Sequence, residues 1–302
     1  MKKKAIWIVP ITMLAAFILY CCAGNVSKIG SDVGNDEEPS VLVKAVEIDL
    51  TDEDYGIGVD KDQPELLEQV NTFLEEVKDN GALDGIISHY MDDGLPVAVV
   101  SAQLDDSKDQ LVVGSTLDFE PFVYGKIDEY YGIDMELVSL LADYLDKELV
   151  IVNSNFETML MAVKQHKCDI CIAGITIDDS RREYVDFSMP YYHVAQHLVV
   201  PADSTEFDEC KSKEDVEKLL SSKDKNTVVG VENLTTAQYY CEGNEADGYP
   251  GFDMTVRRYK NSNVAIEAML EGDLDYVVED SVSARFSVNR INGTDGKEDD
   301  AE

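Results

Sequence analysis

The chain has 302 residues, and 44% of them are hydrophobic, which is enough for one two-lobed domain or two small domains with a substantial core. Its 61 acidic residues outnumber its 25 basic residues and give a formal net charge of −36. This balance argues against a nucleic-acid partner, because binding to phosphates depends on basic residues.

The first 22 residues have the pattern of an export signal. Lysines at positions 2–4 precede an apolar run over 5–19, and small residues follow it. The run is shorter than the roughly 20 residues that a membrane-spanning helix needs. We therefore expect a lipoprotein signal peptide over 1–22, and the alternative is an uncleaved anchor helix. Both interpretations place the rest of the chain outside the cytoplasm.

The end of this signal carries a lipidation motif. Leu19-Tyr20-Cys21-Cys22 is similar to the lipobox of bacterial lipoproteins, in which the cysteine after the cleavage site is acylated. The spacing from Leu19 favours Cys22, and Cys21 is the alternative. Few apolar residues occur over 23–40, so this segment is predicted to be a disordered tether.

The next segment is predicted to form two strands and two helices. Residues 41–50 have a strand pattern, and 55–59 alternate large residues with glycine, which is typical of a strand with a closely approached backbone. A long helix then begins at Gln63-Pro64 and ends at Asn80-Gly81, and a shorter helix covers 83–90. Such a unit cannot bury its apolar face alone, so it must belong to a larger sheet.

The rest of the chain has an α/β pattern. Residues 92–110 mix turn residues with one apolar run and are predicted to be a linker with at most one extra strand. Strand and helix patterns then alternate, which predicts two mainly parallel sheets with covering helices, joined near residues 191–195. The predicted strands lie within 111–116, 148–153, 168–177, 195–201, 227–231 and 275–280, and the predicted helices within 132–145, 156–167, 235–243 and 264–272.

Four cysteines follow the signal region. Cys168 and Cys171 form a C-x-x-C motif in an apolar strand without a second pair or a histidine cluster, so buried packing is expected rather than metal or redox chemistry. Cys210 and Cys241 are candidates for a disulfide in an exported protein, and their spacing leaves this open. The sequence predicts no metal and no cofactor.

One predicted strand end carries groups that suit an anionic ligand. Ala173-Gly174-Ile175-Thr176 ends a strand, and Arg181 follows after a short turn. Ligands in open α/β sheets bind beyond the carboxyl ends of strands. Glycine permits close approach, threonine adds a hydroxyl, and arginine offers a planar fork for a carboxylate. The alternative is that Arg181 pairs with a neighbouring surface acid such as Asp178.

Other element ends offer further candidates, each with a structural alternative. Asp280 ends a strand of the other sheet, where it either receives a cation or caps the next helix. Thr235-Thr236 opens a helix, where hydroxyls and free N–H groups either favour an anion or cap the helix. Phe119 and Phe156 follow strands and are either pocket walls or core residues.

Together these residues resemble a known family. "VVGSTLDFEPFVY", "YYGIDMELVSLLADYL" and "DICIAGITIDDSRREYVDFSMPYY" are similar to segments of the bacterial extracellular solute-binding proteins of family 3, the polar-amino-acid receptors of ABC importers. The resemblance runs from about 111 to 288. It implies the two-lobed α/β fold of type II periplasmic binding proteins, whose two mainly parallel sheets are joined by a two-segment hinge.

The resemblance also implies that the elements occur in rotated order. Residues 55–91 look like the family's C-terminal segment, which closes the first lobe, and 41–51 look like the return strand of the second lobe. The chain stops where that strand would be expected. We therefore predict a circular permutation, with the family's ends joined through 92–110. The alternative is that 41–91 belong to an upstream domain and another subunit supplies the missing segment.

This interpretation divides the chain. Lobe 1 is expected over 52–192, lobe 2 over 193–290 together with the strand over 41–51, and a disordered tail over 291–302. The hinge is expected at Tyr55, Tyr191 and Tyr192.

The resemblance also implies roles for the candidate residues. Arg181 would bind the α-carboxylate of an amino acid, assisted by Thr176 and the backbone of Gly174. Thr236 would add a hydroxyl from the second lobe, and Asp280 would take the α-ammonium.

The walls of the site bear on specificity. Phe119 and Phe156 would enclose the ligand's side chain. Thr116 occupies a position that is often acidic in the family. Glu232 and Glu279 flank the site, where they favour a basic side chain or are simply surface acids.

The leading functional interpretation is a receptor, lipid-anchored at the outer face of the cell membrane, that delivers a polar amino acid to the permease of an ABC importer as a monomer. An enzyme is not expected, because none of the four histidines pairs convincingly with a serine or cysteine. One alternative is a dehydratase of the prephenate or arogenate type, which shares this fold and would use Glu232 or Glu279. Another is an amino-acid sensor without transport.

Overall fold

The computed structural model describes residues 41–92, 94–126, 129–249 and 251–293. The predicted signal peptide, its Cys21 and Cys22, the tether, and positions 294–302 of the predicted tail lie outside these residues. No helix in the described part of the chain is both long and apolar enough to cross a membrane.

The described residues form fifteen strands and eight α-helices. The strands are β1 Val43–Val46, β2 Glu53–Tyr55, β3 Gly58–Val59, β4 Gln110–Ser115, β5 Asp118–Phe119, β6 Val123–Lys126, β7 Glu129–Tyr131, β8 Glu148–Asn153, β9 Ile170–Cys171, β10 Asp186–Phe187, β11 Tyr192–Val194, β12 Gln196–Pro201, β13 Val228–Glu232, β14 Thr255–Tyr259 and β15 Tyr276–Asp280. The helices are α1 Pro64–Asp79, α2 Ala82–Met91, α3 Ile133–Tyr144, α4 Phe156–Lys164, α5 Lys213–Leu220, α6 Thr236–Glu242, α7 Ser262–Leu270 and α8 Ser281–Asn292.

Two five-stranded sheets organise the fold. Sheet 1 has the order β10-β3-β9-β4-β8, and sheet 2 has the order β1-β12-β15-β13-β14. The residues packed around them are called half 1 and half 2. Each sheet is mixed rather than mainly parallel, with two parallel and two antiparallel pairings. Each antiparallel pairing contains a strand that directly precedes or follows, along the chain, a segment that crosses between the halves. At these strands the chain enters or leaves the sheet at the cleft.

Two crossing segments lie side by side. β2 pairs with β11 in an antiparallel ladder, with Tyr55 opposite Tyr192 and Glu53 opposite Val194. Tyr191 hydrogen-bonds through its backbone amide to the Tyr55 carbonyl oxygen at 2.9 Å. The three tyrosines expected at a hinge therefore lie together where the chain passes from one half to the other.

The opening unit packs into half 1. The apolar face of α1 is buried through Leu66, Val70, Phe73, Leu74 and Val77, and proline is tolerated at its start because the first helical N–H groups have no partner. The strand expected over 55–59 is interrupted, so that β2 and β3 are separate. A Cβ atom on Gly58 would lie 2.7 Å from the Cys171 sulfur, so the predicted close approach of the backbone is confirmed.

Each half has its own core. One large cluster of buried apolar residues surrounds sheet 1 and includes α1, α2 and α3. Two smaller clusters cover the opposite faces of sheet 2, one containing Leu198 and Val200 and the other Val199, as the alternation of side chains along β12 requires. The extra strand considered for the linker is absent from its described part, where Val99 forms only an isolated bridge with Tyr130.

The end of the described chain corrects one boundary. α8 continues to Asn292, so residues 291 and 292, which were expected in the disordered tail, are helical instead. The Asn292 side chain is buried, and its Oδ1 accepts hydrogen bonds from the amides of Leu42 (2.8 Å) and Val43 (3.2 Å). The first and last described elements are thus joined within half 2.

Candidate functional site

One cavity lies between the halves, beyond the carboxyl ends of β4, β8, β13 and β15. Its lining atoms surround about 480 Å³ of empty space, open solvent included. All eight residues predicted to bind the ligand line this cavity: Thr116, Phe119, Phe156, Gly174, Thr176, Arg181, Thr236 and Asp280. Asp118, Glu232, Ser262 and Glu279 line it as well.

Arg181 is held rigidly in the wall of the cavity. It is 4% exposed, and its Nη1 donates to the Thr176 carbonyl oxygen at 2.8 Å. Its Nη2 donates across the cleft to the Leu234 carbonyl oxygen at 3.3 Å, and its Nε lies 3.0 Å from Asp178 Oδ2. The pairing with Asp178, expected as a surface alternative, therefore occurs inside the site and orients the guanidinium.

A chain of hydroxyl groups connects the two halves next to Arg181. Thr236 Oγ1 donates to Thr176 Oγ1 at 3.3 Å, and Thr176 Oγ1 donates to Glu53 Oε2 at 2.8 Å. Glu53 is buried and also accepts a hydrogen bond from Thr51 Oγ1 at 2.5 Å. The sequence indicated neither the burial of Glu53 nor its contact with Thr176, because the two residues lie far apart in the chain.

Gly174 serves the site differently from the expectation. Its φ is +55°, and a Cβ atom there would lie 2.3 Å from Phe119 Cε1, so only glycine permits this approach of the aromatic ring. Its amide donates to Asp134 Oδ2 at 2.8 Å. The expectation that the Gly174 backbone completes the anion site is therefore corrected, because this N–H group already has a partner.

Asp134 is a buried carboxyl group behind the cavity. Besides the Gly174 amide, it accepts a hydrogen bond from the Tyr191 hydroxyl at 2.8 Å. Burial raises the pKa of Asp134 from 3.8 to about 7, although these two hydrogen bonds oppose the rise. Asp134 thus links the glycine turn of half 1 to a crossing segment, a role that its place in the first turn of α3 did not indicate.

Replacing Asp134 by asparagine should reduce the loss of stability on raising the pH. Between about pH 4 and pH 7 the unfolded state ionises this group and the folded state does not, so wild-type stability falls by on the order of 4 kcal/mol in total from this residue. Urea unfolding at pH 5 and pH 8 checks this expectation. An equal loss of stability in wild type and Asp134→Asn would contradict it.

Asp280 faces the cavity from half 2. It occupies the N-cap position of α8, but its side chain makes no capping hydrogen bond. Its Oδ1 accepts a hydrogen bond from Gln196 Nε2 at 2.6 Å, and the same nitrogen donates to Glu53 Oε1 at 3.1 Å. Burial, and then the charge of Glu53, raise the pKa of Asp280 to about 7. An arriving cation would relieve this crowding of acids.

Two glutamates add negative charge to the cavity. Glu279 is 5% exposed, and its Oε2 has no hydrogen-bond partner among the described residues. Burial, and then the charge of Asp280, raise the pKa of Glu279 to about 8. Burial, and then the charge of Asp118, raise the pKa of Glu232 well above its usual range. The Thr116 hydroxyl, 3% exposed, likewise lacks a partner within the described part of the chain.

Leu234 lies at the edge of the site in a strained backbone conformation. Its φ is +61°, which is unfavourable for a residue with a branched side chain, yet its carbonyl oxygen is the acceptor for Arg181. Leu234→Gly should raise the free energy of unfolding by about 0.5–1 kcal/mol, because relief of strain exceeds the entropy that glycine adds to the unfolded chain. Urea unfolding measures this, and Leu234→Ala is the control, since it keeps the strain and should not stabilise. A lower stability of the glycine variant would contradict the expectation.

The four cysteines that the structure describes do not line the cavity. Cys168 and Cys171 are buried free thiols, and burial raises the pKa of Cys168 to about 11. Cys210 and Cys241 are also free, so the candidate disulfide is not formed here.

One cluster of side chains has the composition of a metal site. Ligand atoms of Asp60, Asp62 and His166 lie within 4.8 Å of one another. This cluster comes from other parts of the chain than the cavity. Asp60 and Asp62 follow β3 and His166 follows α4, whereas Ala173 and Gly174 of the cavity follow β9. The buried Asp60 carboxylate already contacts His166 Nδ1 at 2.6 Å, so protein groups satisfy it without a metal ion.

Two mixed sheets joined by adjacent crossing segments, with a charged cavity between them, define a two-lobed binding-protein fold. The chain belongs to the bacterial extracellular solute-binding proteins, family 3, whose sequence profile matches residues 111–284. An arginine-binding extracellular protein of Bacillus subtilis is 33% identical over 93 residues, which are 31% of this chain and 36% of that protein. A probable histidine-binding protein of Campylobacter jejuni is 26% identical over 180 residues, which are 58% of this chain and 61% of that protein. The chain therefore spans less than two thirds of these relatives.

Solved structures and one further relative widen the comparison. The ancestral amino acid-binding protein AncCDT-1, a precursor of cyclohexadienyl dehydratase, is 28% identical with a TM-score of 0.51 and shares 60% of this chain and 75% of its own. An ancestral arginine-binding protein bound to arginine is 26% identical with a TM-score of 0.50, over 62% of this chain and 77% of its own. A membrane-bound lytic murein transglycosylase F of Cronobacter sakazakii is 26% identical over 170 residues, 56% of this chain and 31% of that enzyme. The predicted family and the α/β fold class of amino-acid binding proteins are confirmed, with mixed rather than mainly parallel sheets. The circular permutation stays a prediction.

Proposed function

We propose that this protein binds an amino acid with a cationic side chain in the cavity between its halves and delivers it to an importer of the ABC type. The observation that carries this proposal is the charge around the cavity. Arg181 is its one guanidinium among the described lining residues, whereas Asp118, Glu232, Glu279 and Asp280 are all acids. A ligand with one negative group and two positive groups pairs Arg181 and two of these four acids.

The α-carboxylate and the α-ammonium of the amino acid match charged groups on opposite walls of the cavity. The α-carboxylate lies against Arg181 and the hydroxyls of Thr176 and Thr236, because a guanidinium fork and hydroxyl donors suit a carboxylate. The α-ammonium lies against Asp280, whose other neighbours include the acid Glu53. The groups come from both halves, so the ligand pairs both of its charges only in the closed protein and favours closure. Tyr55, Tyr191 and Tyr192 are the proposed hinge.

The ligand's cationic side chain would pair with the remaining acids of the cavity. Phe119 and Phe156 flank its apolar part, and Glu232 and Glu279 receive its cationic end. The unpartnered Glu279 Oε2 and Thr116 Oγ1 are acceptors without a donor, as a donor-rich cation requires. The names of relatives that bind arginine or histidine support the same class of ligand.

A thermal-shift screen against the twenty amino acids tests the proposal. A ligand at 100 times its dissociation constant should stabilise the protein by about 2.7 kcal/mol. Arginine, lysine or histidine should raise the melting temperature, and glutamate and aspartate should not, because their side chains would meet buried acids. Failure of all twenty to stabilise the protein, or a preference for an acidic one, would contradict the proposal.

The importer and the anchor are part of the proposal. Members of this family act outside the cytoplasm, and the lipobox-like motif supports attachment of a monomer to the outer face of the cell membrane through Cys22. Radioactive palmitate should label the wild type and Cys21→Ala but not Cys22→Ala. Labelling that survives in Cys22→Ala and disappears in Cys21→Ala would move the anchor to Cys21.

We also propose that the chain is a circular permutation, with lobe 1 over 52–192 and lobe 2 formed by 193–293 and 41–51. Support comes from β1 and β3, which lie outside the family match yet pair within sheets 2 and 1. Support also comes from Asn292, whose side chain binds the backbone amide of Leu42. A permutation requires that residues near 41 and near 293 lie close together, because they were once joined in the chain. A rearranged gene that joins 293 to 41 and opens the chain within 94–108 should yield a monomer that binds the same ligand. Assembly only as an interlocked dimer would favour a swapped segment.

One observation favours an enzyme as the second candidate. Burial, and then the charge of Asp280, raise the pKa of Glu279 to about 8, and a raised carboxyl pKa is what a general acid at neutral pH requires. AncCDT-1 is described as a precursor of a dehydratase. Incubation with prephenate decides: phenylpyruvate formation that Glu279→Gln abolishes would establish the enzyme, and its absence together with amino-acid binding would remove it.

A further inference from the structure

We propose that a cationic side chain entering the cavity expels a proton from the carboxyl groups of Glu232 and Glu279, so that ligand binding is an exchange of one cation for one proton. These two residues, with Asp118 beside them, are called the acidic cluster. The inference rests on the proposed function and adds the proton exchange to it.

The position of the acidic cluster is the first step. A smaller compartment continues from the main cavity, and the two share Asp118, Glu232 and Glu279 among their lining residues, whereas Arg181 lines only the main cavity. The acidic cluster therefore lies where the two spaces meet. The Arg181 guanidinium does not line the smaller compartment, and the acid that it pairs with is Asp178, 3.0 Å from its Nε.

The neighbouring groups leave the inner carboxyls without a close cation. Towards Glu279, β15 contributes Asp280, β13 contributes Glu232, and α8 contributes Ser287 Oγ at 3.4 Å and the charge of Arg290. Arg290 Nη2 hydrogen-bonds Asn263, and its Nη1 lies 3.9 Å from Glu120.

The strands that flank β15 and β13 contribute charges that are already engaged. On β12, His197 stands opposite Glu279 in the ladder, but its Nε2 lies 2.8 Å from Asp49. At the rim, Lys260 lies 3.8 Å from Asp118 and is 78% exposed. Among the described residues, none of these cations forms an ion pair with Glu232 or Glu279.

Charge balance then dictates the protonation state. Carboxylates cannot all ionise side by side in a buried space without cations, so the empty site retains protons. The pKa of Glu279, raised to about 8 by burial and Asp280, and the raised pKa of Glu232 agree with this. When a cationic group arrives, one carboxylic acid becomes a carboxylate, its proton passes to solvent, and the carboxylate pairs with the cation.

The structure provides an acceptor and an exit. Glu279 Oε2 has no hydrogen-bond partner within the part of the chain that the structure describes, so a carboxylate oxygen is available to the incoming donor. The smaller compartment extends to Arg290, whose side chain is 45% exposed, which gives the released proton access to water.

The sign of the pH dependence follows. The carboxyl pKa is high in the empty site and low in the occupied one, so affinity for a cationic ligand rises with pH below about 8, by up to tenfold per pH unit for each proton released. Asp280 releases its own proton to the α-ammonium of any amino acid, so the contribution of the acidic cluster has to be isolated by substitution.

Calorimetry with L-arginine in buffers of different ionisation enthalpy measures the proton count at pH 7. The wild type should release protons, and Glu279→Gln and Glu232→Gln should release fewer. Glu148→Gln is the matched control, because this exposed glutamate on β8 pairs with Lys108 away from the cavity, and its release should equal that of the wild type. The affinity of the wild type should also fall by several-fold or more from pH 8 to pH 6, and the affinity of Glu279→Gln should fall less over the same interval, because Asp280 then contributes alone.

The failures can be told apart. Tight arginine binding with equal proton release in the wild type and both cavity variants, or with an affinity independent of pH between 6 and 8, would overturn the proton exchange and leave the receptor function standing. If no amino acid stabilises the protein, the receptor function fails and the exchange fails with it.

Discussion

Asp280→Ala should weaken binding of the amino acid by about 3–5 kcal/mol, a loss of more than about 100-fold in affinity. The reason is that the substitution leaves the ligand's ammonium group in a closed cavity without its partner. Calorimetry with the ligand found by thermal shift measures the loss. Asp208→Ala is the control, because Asp208 forms an exposed ion pair with Lys44 and its removal should leave binding unchanged. Unchanged affinity in Asp280→Ala would remove this residue from the site.

Substitution of Asp280 weakens ligand binding, but it should increase the stability of the unliganded protein. Because the pKa of Asp280 is raised from 3.8 to about 7, ionisation of this carboxyl costs the folded state stability as the pH rises through that interval. Asp280→Asn should therefore be more stable than the wild type at pH 8 without ligand, while binding more weakly. A site whose empty form is destabilised by its own charges is expected where the ligand supplies the compensation.

Arg181→Lys should be nearly as damaging to binding as Asp280→Ala, with a loss of about 2–5 kcal/mol. A lysine ammonium is a point charge and cannot reproduce the fork that contacts Asp178, Thr176 and Leu234 together. The adjacent Arg182 offers a matched control, because it is half exposed and lies 3.7 Å from the surface acid Asp179. Arg182→Lys should bind as the wild type does, and equal losses in both variants would show that the fork of Arg181 has no special role.

Most of the lining of the cavity was predictable from the sequence. Thr116, Gly174, Thr176 and Asp280 each follow or end a strand pattern, and strand ends of one sheet meet at one edge. Glycine and arginine in the Ala173–Arg181 block added a specific family pattern. These patterns lie within short stretches of the sequence, so they can be recognised without knowing which strands and helices pack together.

The residues behind the cavity were not predictable. Glu53, Asp134 and Gln196 are buried by segments far away in the chain, and in a sequence with 61 acids a buried carboxyl has no local mark that separates it from a surface one. The positive φ of Leu234 was likewise not indicated by the sequence. The network Thr176–Glu53–Gln196–Asp280 exists only once both halves are assembled.

The fold likewise has elements that were predictable from the sequence and elements that were not. The strongly periodic helices α1, α2 and α3 form where expected, because their apolar faces identify them. The three-stranded sheet of β5, β6 and β7 was missed, since its strands have two to four residues and lack a clear alternation. The strand expected over 168–177 shrinks to Ile170–Cys171, because the left-handed backbone of Gly174 and the turn around it end the ladder early.

The central claim is that both α-groups of a cationic amino acid are bound, one by each half. It is tested most directly by calorimetry with L-arginine and two analogues, one lacking the α-carboxylate (agmatine) and one lacking the α-ammonium (5-guanidinovaleric acid). Each analogue leaves Arg181 or Asp280 without a partner, so each should bind more than about 100-fold more weakly than L-arginine. If either analogue bound as tightly as L-arginine, the account of the site would be contradicted.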